Sequence, residues 1–146
     1  MRCSNEGIEL IKSFEAFSPT VYICSGGYPT LGYGHVITES ERDKFAKGIS
    51  DEEAEDLLKR DLQKTERAIT RLVKVPLTQN QFDALCSFTF NVGSGALQRS
   101  TLRMKINREE FEEAADEFLK WIWAGGKKLR GLIRRRQAER QVFLTV

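Results

Sequence analysis

The chain has little that titrates near neutrality and nothing that spans a membrane: it holds one histidine, three cysteines and no long apolar run. No stretch approaches the roughly 20 apolar residues of a transmembrane helix. Arg2, Asn5 and Glu6 precede only a short amphipathic segment, so no secretory leader and no stable membrane insertion are expected. Cys3, Cys24 and Cys86 cannot all pair within one chain, and their spacing fits no zinc pattern. Reduced surroundings are the simpler inference, with no metal and no cofactor. A formal net charge of only +2 excludes a global polyanion-binding signal. Nothing repeats, and no segment is low in complexity.

What is present suits one compact domain: 146 residues, 40% hydrophobic and 30% charged. Ser4 or Asn5 can cap a first helix in which Ile8, Ile11 and Phe14 recur at helical spacing, and Pro19 stops it near Glu15. Ser50-Asp51-Glu52-Glu53 is a capping box with acids in the first turn. From there Ala54, Leu57, Leu58, Leu62, Ala68, Ile69 and Leu72 keep helical period to about Val73. Thr78 and Gln81 form a second box ahead of a run apolar almost all round, from Phe82 to Val92, which predicts a buried axial helix. Cys86 falls inside that run and reads as core. Asn107 with Glu110 is expected to cap a helix carrying Phe111 to Ile122, stopped by Gly125-Gly126, and a last helix is expected from about Leu132 to Phe143.

The stretch from Glu15 to His35 is different. A carboxylate falls where a helix stops, two short alternating runs flank Ser25-Gly26-Gly27, and the chain's only histidine follows. A hairpin there brings Cys24 and Thr30 close together. The negative end of the helix dipole and burial against Phe14 and Phe17 would both raise the pKa of Glu15, which suits a general acid.

Glu15, Thr30 fifteen positions on, and Leu31-Gly32-Tyr33-Gly34-His35 resemble the active-site signature of the phage-type lysozymes, glycoside hydrolase family 24. Phe90-Asn91-Val92-Gly93, Ser100-Thr101-Leu102-Arg103, Ala124-Gly125-Gly126 and the block from Gly131 to Arg140 resemble the family's later segments, so the likeness covers nearly the whole chain. Position 24, nine after Glu15, holds cysteine where the family pattern has a second carboxylate.

The resemblance implies an α+β, mainly α, lysozyme-like fold of one domain. A small lobe with a short antiparallel sheet (15–49) and a connecting helix (50–73) lead to a helical lobe (74–146), against which helix 4–14 packs. It implies a monomeric muramidase that hydrolyses the β-1,4 bond between N-acetylmuramic acid and N-acetylglucosamine in bacterial peptidoglycan. Such a phage endolysin is made in host cytoplasm and reaches the wall after release through a separate pore-forming protein. Glu15, Cys24 and Thr30 would be catalytic, Asn91 and Gly32 would meet substrate, and His35 would pair with Asp61 to tie the hairpin to the long helix.

The residues themselves leave alternatives. Asn91 suits an ordinary helix C-cap equally well, and Asp61 could simply emerge at the edge of its apolar stripe. Trp121 and Trp123 are either a saccharide platform or packing. A carboxylate beside Cys24 would hold its thiol mostly neutral at pH 7. A thiolate minority could then act as base or nucleophile, Thr30 and Glu15 could orient water alone, or the protein could bind wall without cleaving it. From Lys120 to Val146 eight cations face Glu139 alone, a formal +7. This is either a solvated helix face or a surface that attracts an anionic polymer, though no base-reading motif points to nucleic acid.

Overall fold

A computed structural model describes residues 1–146. The observed architecture is the expected one: mainly helical, with small antiparallel sheets. Helix α1 (Asn5–Phe14) is capped by Ser4, whose hydroxyl accepts from the Gly7 N–H at 3.2 Å. Strands β1 (Ser18–Ile23), β2 (Pro29–Gly32) and β3 (His35–Val36) form one antiparallel sheet in sequence order. Its register pairs Tyr22 with Thr30 and Ile23 with Pro29, but Ser18 with Gly32, so β1 carries a bulge between Ser18 and Tyr22.

Helix α2 (Asp51–Leu72) has both halves of its capping box in place: the Ser50 hydroxyl accepts from the Glu53 N–H, and Glu53 accepts from the Ser50 N–H. Its apolar stripe serves two cores. Ala54 and Leu57, in the first turns, pack with Leu31, Ile37, Phe45 and Ile49 beneath the sheet. Leu58, Leu62, Ile69 and Leu72 join a larger core with Ile8 and Ile11 of α1, Phe82, Leu85 and Phe88 of α3 (Gln79–Val92), and Phe118. Tyr33 touches both clusters. One 22-residue helix therefore carries the small sheet on one end and the helical body on the other.

The C-terminal half departs from the sequence reading in four places. Two short helices, α4 (Ser94–Gln98) and α5 (Thr101–Asn107), occupy the segment before the expected Phe111 helix. Asn107 does not cap that helix. Its side chain accepts from the Lys74 N–H at 2.7 Å and donates to the Leu72 carbonyl at 3.0 Å, closing the end of α2 instead. Helix α6 (Phe111–Phe118) ends four residues earlier than expected. Gly125 and Gly126, both at positive φ, form the turn of a two-stranded ribbon, β4 (Trp123–Ala124) with β5 (Lys127–Lys128). Helix α7 (Arg130–Leu144) then packs along α3. No helix is long and apolar enough to cross a membrane.

Candidate active site

Glu15 is the C-cap of α1. Its N–H still closes the last helical turn on Ile11 at 3.0 Å, while its extended φ and ψ turn the side chain out of the helix. The carboxylate comes to rest beside Gly34: a Cβ built there would lie 3.8 Å from Glu15 Oε2. Gly34 sits at φ +87°, so glycine both permits the backbone and keeps the acid's approach open.

The sequence reading surrounded Glu15 with apolar residues alone, and the structure corrects it. Arg135 of α7 donates from Nη1 to Glu15 Oε1 at 2.8 Å, and its guanidinium lies over the Phe14 ring. The acid therefore meets a buried cation as well as the apolar neighbours expected from the sequence.

Arg135 is itself held in place. Its Nη2 donates to the Ser87 carbonyl at 3.0 Å and its Nε to Glu139 at 3.2 Å. Glu139 is fully buried, accepts from the Ser87 hydroxyl at 2.6 Å, and pairs with Arg136. Arg136, also fully buried, donates to the Trp121 carbonyl at 2.9 Å and to the Asn91 side-chain oxygen, and lies over Phe88. Burial pushes the Glu139 carboxyl up and the Arg136 guanidinium down, and each ion opposes the shift of the other. Glu15, Arg135, Glu139, Arg136 and Asn91 thus form one chain of contacts with balanced charge. The expectation for this arginine cluster, a solvated face or a polymer-attracting surface, is overturned for Arg135 and Arg136 by their burial.

On the hairpin, Thr30 is buried and donates from Oγ1 to the Tyr28 carbonyl at 2.9 Å, within reach of the Cys24 sulfur. The Cys24 thiol is held below its ordinary value by the Tyr28 N–H, then by the Thr30 hydroxyl and the Gly26 N–H. The groups that act on the Cys24 thiol are hydrogen-bond donors from its own hairpin turn, where the sequence reading had a carboxylate as its neighbour.

His35, at the start of β3, bridges three elements. Nδ1 lies 2.9 Å from Asp61 of α2, and Nε2 lies 3.1 Å from Glu41, in the single 3-10 turn at Glu39–Glu41. Asp61 first, then Glu41, raises the imidazole above its usual value against the opposing effect of burial. Burial pushes Glu41 upward, but the Thr38 N–H, His35 and the Thr38 hydroxyl outweigh it and bring the carboxyl down to about 2.

A cavity of about 680 Å³ runs between the hairpin side and the helical body, lined by Glu15, Gly34, His35, Asp61 and Asn91 among others. Cys24 and Thr30 lie together on the hairpin and are not part of that lining. Gly32 is a correction. It is buried, and its missing Cβ faces Ile49 and Ala54 at 3.3 and 3.4 Å, so it packs the sheet onto α2, while Gly34 takes the position beside the acid. Trp121 packs edge-on against Phe88, and Trp123 stands exposed on β4. No group of three His, Cys, Asp or Glu side chains is placed to hold a metal ion.

Arg135, Arg136, Glu139 and Glu41 escaped the sequence reading as members of these networks. The available signal was the i+3 and i+4 spacing of Glu139 from Arg136 and Arg135, which matches charges to one another but does not say that they are buried.

A helical body, a small sheet lobe and an acid at the helix end facing the cleft between them define a lysozyme-like protein. The chain belongs to the phage lysozyme family, whose profile matches residues 12–139. It is 43% identical to the endolysin of Salmonella phage P22 over 147 aligned residues, covering 99% of both chains. It is 46% identical to the endolysin of Bacillus phage B103, of which it spans 55% of the length. Among solved structures, the muramidase domain of SpmX from Asticaccaulis excentricus superposes with a TM-score of 0.89 at 38% identity, covering 99% of each chain.

Proposed function

We propose that the chain is a muramidase of the endolysin type, cleaving the β-1,4 bond between N-acetylmuramic acid and N-acetylglucosamine in bacterial peptidoglycan. The observation that carries this reading is the Glu15 carboxylate at the cleft, fixed by Arg135 and open to substrate past Gly34. Membership of the phage lysozyme family and the names of the relatives support it. In this reading Glu15 carries its proton to the departing glycosidic oxygen, and Asn91, held by Arg136, offers its amide to the sugar.

In this reading the second group is Cys24, beside Thr30 on the hairpin, acting as a thiolate that accepts a proton from the attacking water. Water attack assisted by a base predicts inversion at the anomeric carbon, whereas a covalent thioglycosyl intermediate predicts retention. As an endolysin, the protein would be made in host cytoplasm and reach the wall through a separate pore-forming protein.

Reducing-end analysis of purified peptidoglycan tests the assignment. The wild type is expected to release N-acetylmuramic acid reducing ends and Glu15→Gln to lose about 10²-fold or more in rate. A wild type that binds wall without releasing ends would instead establish the second reading, a wall-binding lysozyme-like protein, which the missing carboxylate at position 24 favours.

A further inference from the structure

The C-terminal basic segment keeps Lys127, Lys128, Arg130 and Arg134 exposed although Arg135 and Arg136 are buried, and a second set of exposed cations shares one face of α2: Arg60, Lys64, Arg67 and Arg71, at helical spacings of four, three and four. At 1.5 Å per residue they form a stripe about 16 Å long. Lys64, Arg67 and Arg71 have no acid within ion-pair distance, and Arg60 reaches only Glu41, at 3.6 Å. Of the nearby acids, Asp61 holds His35, and Glu66 accepts from the Cys3 N–H at 2.7 Å while keeping its charge beside Arg67 and Arg71. Asp56 lies on the same face one turn before Arg60, so the cationic part begins at Arg60.

The stripe is also the wall of a continuous concavity. Arg60, Lys64 and Arg67 line the cleft that contains Glu15. Arg67 lines a second groove as well, of about 470 Å³, together with Arg71, Arg2 and Glu66. A track along which cations outnumber acids therefore leads out of the cleft along α2, in a molecule whose net charge is only +2.

We propose that this stripe binds the free carboxylates of the peptide stems attached to the glycan strand held in the cleft. The proposal rests on the muramidase reading. The sugars of the strand are neutral, and its fixed negative charges are on the stems hanging from the muramic acid lactyl groups. Stems hang from muramic acid residues all along the strand, whereas phosphate polymers are attached at few of them, which favours stem carboxylates as the occupant. Charge complementarity of this kind acts on affinity, on encounter rate and on salt dependence, and leaves the bond-breaking step itself untouched.

The direct test measures binding of a disaccharide-peptide muropeptide to Glu15→Gln, in which hydrolysis is blocked, by calorimetry. Amidating the stem carboxylates is expected to weaken binding by about tenfold, the combined effect of several exposed ion pairs. Adding Arg67→Gln and Arg71→Gln should remove most of that difference and flatten the salt dependence. Equal affinity for native and amidated muropeptide would overturn the proposal. So would a triple variant that keeps the full preference.

A kinetic arm uses the wild-type background with Arg67→Gln and Arg71→Gln. The ratio of kcat/KM on native peptidoglycan to that on peptidoglycan whose stem carboxylates have been amidated should fall several-fold, through KM. If the preference instead disappears when phosphate polymers are extracted from the wall, those phosphates are the ligand and the stem assignment is wrong. Failure of the wild type to cleave either substrate would sink the muramidase reading, while the muropeptide titration would still decide the stripe.

Discussion

Cys24 and Glu15 occupy environments that the local sequence describes unequally. The donors around Cys24 come from its own hairpin within six residues, so the spacing that brings Thr30 near it was legible. The partner of Glu15 comes from Arg135, 120 positions away, and was not. If the Cys24 thiolate is the base, Cys24→Ala should lose about 10² to 10⁴ in rate, and alkylation of the thiol should abolish turnover. Cys24→Asp, which supplies a carboxylate at the same place, should recover much of the activity. Steady-state hydrolysis of peptidoglycan by the three proteins checks this, and unchanged turnover in Cys24→Ala would remove the thiol from the mechanism. Glu139 is the matching case for stability. Glu139→Ala leaves two buried guanidinium groups with one carboxylate between them, and should cost about 3 to 5 kcal/mol in denaturant unfolding.

At the scale of elements, the helices with strong local signals were readable and the short ones were not. Both capping boxes, at Ser50 and Thr78, form as their spacing predicts, because the reciprocal bonds are made within four residues. Ser50→Ala should lower stability by about 1 kcal/mol, read as a reduced thermal midpoint. Its effect should concentrate in the first turns of α2, where Ala54 and Leu57 support the sheet. Amide exchange in those turns should rise while α3 stays protected. Helices α4 and α5 and the β4–β5 ribbon carry too few periodic residues to stand apart from a longer helical pattern. Asn107 looked like a cap by spacing, but the end of α2 offered its side chain two unpaired backbone groups, and tertiary proximity won.

For the whole molecule, the His35 bridge couples the two parts of the fold to pH. The raised His35 value contributes stability that is fully present below about pH 6.5 and is lost as pH rises through the folded value. The lowered Glu41 value contributes stability that is present above about pH 4.5 and is lost as pH falls toward about 2. Both are complete only between these limits. The difference in thermal midpoint between wild type and His35→Gln should therefore be greatest from about pH 4.5 to 6.5 and shrink on either side. A pH-independent difference in midpoint would show that His35 acts through packing alone. Because the bridge stands on the cleft wall, peptidoglycan hydrolysis by His35→Gln at a temperature where the variant stays folded separates stability from chemistry.

From the sequence alone came the fold class, the long helix with its caps, the buried axis through Cys86, and the hairpin that sets Cys24 beside Thr30. Each depends on residues close together in the chain, where period, cap and turn chemistry act over a few positions. The tertiary structure alone decided that Arg135 holds the acid, that Glu139 and Arg136 carry the contact through to Asn91, that Gly34 and not Gly32 flanks Glu15, and that a stripe of open cations on α2 borders the cleft. The reason is burial: a charged side chain has the same spacing whether it faces water or a partner, and only the packing of α7 against α3 and α1 settles which.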